Sequence, residues 1–202
     1  MKMLIYIINV CVKFFFMCAP FFVLSTYIAI TRRWEDSVRR TLAIKVMVAS
    51  ILMCVIVYIG GDFIFALFGI NIHSFRIGTG VILLLTAIQL SSGGDSSSNV
   101  GPDVTPSDVM IVPLTTPVVV GPAILGSIVV MAAEAHTITT RIADLTGITL
   151  AMLMVGFILY MSSTVERLVT KQGISVMTKI SGLILSAIAA QMIMTGIKAF
   201  IH

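Results

Sequence analysis

Charged residues make up only 11% of this 202-residue sequence, and 58% of it is hydrophobic. A water-soluble domain carries about 25% charged residues, so this chain cannot cover a globular surface with charge. Lipid is the solvent that suits most of it. Cysteine is scarce too: Cys11, Cys18 and Cys54 lie inside apolar runs, with no CxxC or Cys/His spacing. That argues against a disulfide framework and against a bound metal. There is no phosphate-binding loop of the Walker type, so ATP does not drive the chain directly. The apolar runs hold neither a nucleophile–base pair nor a set of metal ligands, so no catalysis and no cofactor are expected. The net charge of +4 does not point to nucleic acid, because the basic residues cluster at the ends of apolar runs, where they act as orientation signals.

What is present is a series of six apolar segments: Leu4 to Ile30, Leu42 to Gly61, Phe75 to Leu90, Val109 to Ala133, Leu145 to Val165 and Ile180 to Ile197. A membrane span needs about 20 such residues. The third segment is short and is expected to begin nearer Gly69. The first is interrupted by Lys13 and Pro20 and has no clear small-residue cleavage site, so it reads as a retained span. The expected fold is an all-α polytopic membrane protein of six transmembrane helices.

Lys and Arg set the orientation. The loops after the first and fifth segments carry Arg32, Arg33, Arg39, Arg40 and Lys45, then Arg167, Lys171 and Lys179. The opposite side has Lys2, Arg76, Arg141 and Lys198. The richer side is expected to be cytoplasmic, with both termini periplasmic. Residues 91–108, rich in Ser, Gly and Asp, read as a cytoplasmic linker between two halves, 1–90 and 109–202.

The halves match at one constant offset of 102 positions. Pro20 falls on Pro122, Ser25 on Ser127, Gly80 on Gly182 and Gln89 on Gln191. Each half has an odd number of spans, so the second enters the membrane in the opposite direction. Two inverted repeats of three helices are an architecture typical of secondary transporters.

Pro20 and Pro122 fall near the middle of the first and fourth segments. An interior proline removes a backbone hydrogen bond and clashes with the preceding turn. In lipid such a break must face protein or a wet cavity. Paired interruptions of helices 1 and 4 therefore point to a solute site. Half-helix N-termini suit a carboxylate, and exposed carbonyls suit an ammonium group. The residues expected to bind are Ala19, Pro20, Phe22, Ser25, Gly121, Pro122, Ala123 and Ser127. Pro113 and Pro117 shape the cytoplasmic end of the fourth span. Gly78, Gly80 and Gly182 are expected to allow close helix packing, and Gln89 and Gln191 to bond between helices. Lys13 is expected to snorkel or line a vestibule, and Arg76 to mark a span end. His73, His136 and His202 are placed in loops or at the terminus. Asp62 and Glu166 fall at span ends and no carboxylate lies at mid-membrane, so a carboxylate proton relay is not expected.

The segments FGINIHSFRIGTG (68–80), IVPLTTPVVVGPAILGS (111–127), GISVMTKISGLIL (173–185) and TGIKAF (195–200) give the chain its resemblance to the MarC family of bacterial inner-membrane proteins. That resemblance implies similarity to small neutral amino-acid transporters, with two inverted triplets and interrupted helices 1 and 4. It implies a lipid bilayer and a small solute as partners, and a bacterial inner-membrane location. The chain departs from the family pattern where Ala19 replaces a polar residue, Phe22 a glycine and Ala123 a glycine. A non-transporting scaffold or regulatory protein that keeps the fold is the alternative.

Overall fold

The computed structural model describes residues 2–92, 119–168 and 170–201. Pro113, Pro117 and most of the expected linker lie outside them. The described residues form eight α-helices: α1 (Lys2–Met17), α2 (Pro20–Thr31), α3 (Asp36–Phe68), α4 (Ile72–Ser91), α5 (Pro122–Glu134), α6 (Ile138–Tyr160), α7 (Ser162–Leu168) and α8 (Lys171–Ile201). Four contain stretches long and apolar enough to cross a membrane: Asp36–Gly61, Ile72–Ser91, Ile138–Tyr160 and Gln172–Ile201. A fifth crossing is made if α1 and α2, bent by 45°, count as one broken span. α5 is a shorter apolar helix.

Local chemistry explains the helix ends. Asn71 caps α4 by accepting from the His73 N–H at 2.8 Å. Thr137 caps α6, accepting from the Thr140 N–H at 3.2 Å. α3 stops at Gly69, whose φ of 60° is a left-handed cap that glycine adopts without penalty. α2 and α5 both begin on a proline, which fits the first helical position because its missing N–H would have no partner there.

The two proline starts are built alike. The Phe22 and Val23 N–H groups donate to the Ala19 carbonyl at 2.9 and 3.1 Å. The Ile124 and Leu125 N–H groups donate to the Gly121 carbonyl at 3.0 and 3.1 Å. These are the same bonds displaced by 102 positions. The residues before the prolines differ. Gly121 is extended (φ −79°, ψ 169°), whereas Ala19 is left-handed (φ 44°, ψ 61°). Only Cys18 and Ala19 separate α1 from α2, so helix 1 is interrupted by a tight corner.

α4 and α8 pack antiparallel over their lengths. A Cβ on Gly80 would lie 2.7 Å from Ile193 Cγ1 and 3.2 Å from the Ala189 carbonyl oxygen. One on Gly182 would lie 2.6 Å from Ser91 Oγ and 3.0 Å from the Ala87 oxygen. Adding 102 converts Ala87 to Ala189 and position 91 to 193, so the two contacts exchange with each other. Small residues at such crossings let backbones approach where lipid supplies no hydrophobic drive. Gly78 behaves otherwise: nothing lies within 4 Å of its would-be Cβ, so the packing role expected of it does not hold. It faces outward on the same helix.

α3 and α6 also run antiparallel, and their two ends are polar in different ways. At the end where α3 begins, Arg39 pairs with Glu166 of α7 at 3.0 Å, and Arg32 approaches the same carboxylate at 3.9 Å. The Ser163 hydroxyl donates to Asp36 at 2.7 Å, and Tyr27 donates to the Arg39 carbonyl. Between the ends the outward faces are apolar; Ile56 of α3 is 68% exposed, Ile59 70%, and Phe157 of α6 61%. A belt of bare aliphatic side chains is the face a bilayer covers.

The fifth apolar segment is displaced from its expected limits. Its helix starts at Ile138, ahead of Leu145, and stops at Tyr160, leaving Val165 in α7. The Thr137 cap sets the start.

Candidate functional site

The shift of α6 brings Asp144 inside a membrane-crossing helix. The side chain is fully buried, at 0% exposure. The Tyr6 hydroxyl of α1 donates to its Oδ1 at 2.7 Å, and the Tyr58 hydroxyl of α3 donates to its Oδ2 at 2.8 Å. The sequence places no carboxylate at mid-membrane; Asp144 lies in the second turn of α6, short of its middle, yet inside a helix long and apolar enough to cross. Even at a span centre, deeper than Asp144 lies, a charged residue costs about 2.5–3.5 kcal/mol on insertion scales. A hydrogen bond to a charged group returns about 1.5–3 kcal/mol. Two tyrosine donors are thus of the right size to hold a carboxylate at this depth.

Gly147 makes the arrangement possible. It lies one turn beyond Asp144, and a Cβ there would come within 2.7 Å of Val10 Cγ1. Val10 is one turn beyond Tyr6. The bare glycine lets α1 approach α6 closely enough for the Tyr6 hydroxyl to reach the carboxylate.

Asp144 borders a cavity of about 430 Å³. Tyr6, Asn9 and Lys13 of α1 line it, with Arg76 of α4, Ser127 and Glu134 of α5, Thr140 of α6, and Gln191 and Thr195 of α8. Arg76, 7% exposed, pairs with Glu134. It was expected to mark the end of a span; it also ties α4 to α5 across the cavity. The Arg141 Nε–H donates to the Ala135 carbonyl at 3.1 Å and fixes the turn between α5 and α6. Lys13 reaches the cavity from mid-helix, as a vestibule lysine would, and makes no ion pair among the described residues. The wall therefore offers both signs of charge together with neutral oxygens and amides. Such a wall can hold a small dipolar solute.

The residues expected to bind solute are only partly gathered here. Ser127 and Gln191 line the cavity. Ser127 is buried and donates back to the Ala123 carbonyl at 2.9 Å, with Met192 Sδ at 3.5 Å. Ala19, Pro20 and Ala123 are buried in packing near the helix starts, and Phe22 is half-buried against the core. Gly121 is half-buried, while Pro122 and Ser25 face outward. Ser25 and Ser127 therefore match in sequence but not in surroundings. Gln89 and Gln191 are both exposed, and among the described residues neither makes an interhelical hydrogen bond, so the bonding role expected of them is not seen. His73 lies in the first turn of α4, not in a loop, with its ring edge-on to Phe200 at 6.1 Å. No group of three or more His, Cys, Asp or Glu able to hold a metal occurs among the described residues.

Asp144, Tyr6 and Tyr58 escaped sequence reading because the carboxylate stands one residue ahead of an apolar run and the tyrosines sit within such runs. The available signal was the tyrosines, whose hydroxyls need a partner when buried.

A family model described as MarC family integral membrane protein matches residues 4–201. A UPF0056 membrane protein of Methanocaldococcus jannaschii is 27% identical over 183 residues, covering 89% of each chain. The UPF0056 membrane protein YhcE of Escherichia coli is 31% identical over 160 residues, covering 75% of this chain and 74% of its own. The UPF0056 membrane protein YvbG of Bacillus subtilis is 24% identical over 199 residues, covering 96% and 94%. No solved structure matches the chain.

Proposed function

We propose that this chain, which belongs to the MarC family of integral membrane proteins, is a secondary transporter of small neutral amino acids or similar small solutes. It is a multi-pass membrane protein, and the observation that carries the transport reading is the cavity beside Asp144. That cavity is walled by helices from both halves of the chain and lined by charges of both signs. Lys13 suits a solute carboxylate, and the oxygens of Asn9, Thr140 and Thr195 suit its ammonium group. A volume of about 430 Å³ leaves ample room for glycine or alanine.

Six spans in two inverted repeats, 1–90 and 109–202 joined through 91–108, belong to the same proposal. The exchange of the Gly80 and Gly182 contacts and the matched helix starts at Pro20 and Pro122 support it. In this reading the helix starts frame the solute path, and Ser127 joins the second of them to the cavity. The arginine-rich side that carries Arg39 faces the cytoplasm. Both termini and the cavity mouth then face the periplasm of a bacterial inner membrane.

The test is uptake of radiolabelled glycine and alanine by proteoliposomes holding the purified protein, with empty liposomes as control. Saturable uptake is the expected result. Absence of uptake by folded protein, under both sodium and proton gradients, would favour the scaffold alternative. Phe22 and the strained Ala19, which stand where the family has a glycine and a polar residue, are the features that alternative rests on.

A further inference from the structure

The transport cavity contains a group that solute recognition does not use. Asp144 has no exposed surface, and both its oxygens are already engaged, Oδ1 by Tyr6 and Oδ2 by Tyr58. It borders the cavity with no exposed surface. The two donors belong to different helices, Tyr6 to α1 and Tyr58 to α3, while the carboxylate belongs to α6. One buried charge thus links three helices, and one of them, α1, is the first member of the bent α1–α2 pair.

We propose that Asp144 is a cation-coupling site. It takes up a proton or a sodium ion through the cavity and passes the change in charge to α1 and α3 through Tyr6 and Tyr58. Its link to solute movement rests on the transport reading above. An ionised carboxylate only accepts hydrogen bonds, so it can hold both tyrosine hydroxyls at once. When a proton binds, one oxygen becomes a donor and the tyrosine on that side must turn or let go. A sodium ion would instead take the carboxylate and hydroxyl oxygens as ligands and turn both O–H groups away. Either cation loosens or reorients the tie between α6 and its neighbours. Either also removes the net charge that resists movement through lipid.

The other charged groups around the site are on the page. Lys13 shares helix α1 with Tyr6, Arg76 and Glu134 face the cavity as a pair from α4 and α5, and Arg141 lies on the turn of α6 before Asp144. α8 contributes only Gln191, Thr195 and apolar groups. The paired Arg76 and Glu134 offset each other. Asp144, by contrast, accepts from two neutral tyrosine hydroxyls.

The test uses the full-length protein and an Asp144→Asn variant. Infrared difference spectra of the purified protein without solute come first. In wild type, either a protonated-carboxyl band grows on acidification or the carboxylate band shifts on adding sodium chloride, against a potassium chloride control. The change is absent in Asp144→Asn. A wild type that shows neither change, or a variant that keeps it, overturns the inference. Tyr58→Phe keeps the carboxylate and is expected to show the band at a different frequency; an unmoved band would count against the tyrosine link. Proteoliposomes then separate exchange from drive. Wild type is expected to exchange labelled alanine without any gradient and to accumulate it under one gradient, pH or sodium. Asp144→Asn keeps exchange within about two-fold and loses at least about ten-fold of accumulation. If the folded variant, checked by size-exclusion chromatography, loses exchange as well, Asp144 holds the solute and the proposal fails. Wild-type infrared changes without alanine or glycine exchange would sink the transport reading and leave the cation site standing.

Discussion

Gly80 of α4 lies so close to Ile193 of α8 that a methyl group in place of its hydrogen would approach the Ile193 Cγ1 to 2.7 Å. Gly182 stands in the same relation to position 91. The crossing is held by two reciprocal bare positions, and overpacking a close contact costs about 1–3 kcal/mol. Gly80→Leu and Gly182→Leu are each expected to lower the midpoint of thermal unfolding in detergent by several degrees. Gly78→Ala, two residues away with open space around it, should leave the midpoint within experimental error or raise it. Equal losses at Gly78 and Gly80 would contradict the packing.

Ala19 is the one non-glycine residue with positive φ among the described residues. The left-handed conformation costs an L-residue about 1–2 kcal/mol, and glycine escapes that penalty. Ala19→Gly is expected to stabilise the protein by about 0.5–1 kcal/mol. Ala19→Val should destabilise it, because a β-branched side chain fits that conformation worst. The comparison needs only unfolding curves.

Arg76 is buried and Glu134 is half exposed, at 8% and 51% of their side chains. Removing one partner of a buried pair costs up to about 3–5 kcal/mol because a charge is left in low dielectric. The exposed carboxylate reduces that figure here. Glu134→Gln, which strands the buried guanidinium, should cost about 1–2 kcal/mol. Arg76→Gln, which leaves a carboxylate open to water, should cost less. The ordering of the two variants in chemical unfolding is the readout, and the reverse ordering would show that Glu134 is the buried partner.

Pro122→Ala is expected to lower solute uptake more than Pro113→Ala. Pro122 begins α5 at the position matched by Pro20, and alanine there would allow the helix to extend backward. Equal uptake by the two variants would count against a solute path at the paired helix starts.

The membrane class and the break at Pro20 were legible because they depend on local features: long apolar runs and a proline that cannot continue a helix. The matching of Gly80 with Gly182 was also legible, since identical residue types recur at one spacing. Gly78 was misjudged because spacing does not say which side of a helix meets a neighbour. Asp144 was missed for a different reason. Hydropathy places a span's edge at the first charged residue, so an acidic group held by two tyrosines from distant parts of the chain looks like a loop residue. Only the approach of α1 and α3 to α6 supplies the donors that let it enter the membrane. His73 was misplaced for a similar reason, since the Asn71 cap starts α4 earlier than the apolar pattern does.

The length of α5 bears on how the protein is made. At 13 residues and about 1.5 Å of rise per residue, the helix measures about 20 Å. The hydrocarbon layer is about 30 Å thick. By itself the helix is too short to cross that layer, so its ends need protein around them. It packs against α3 and α4, which the ribosome has already finished. Those two helices therefore have to be in place, with a cleft between them, when α5 emerges. The N-terminal half then acts as a template for the C-terminal half, and a fragment made from residue 109 onward should insert poorly unless the first half is supplied beside it.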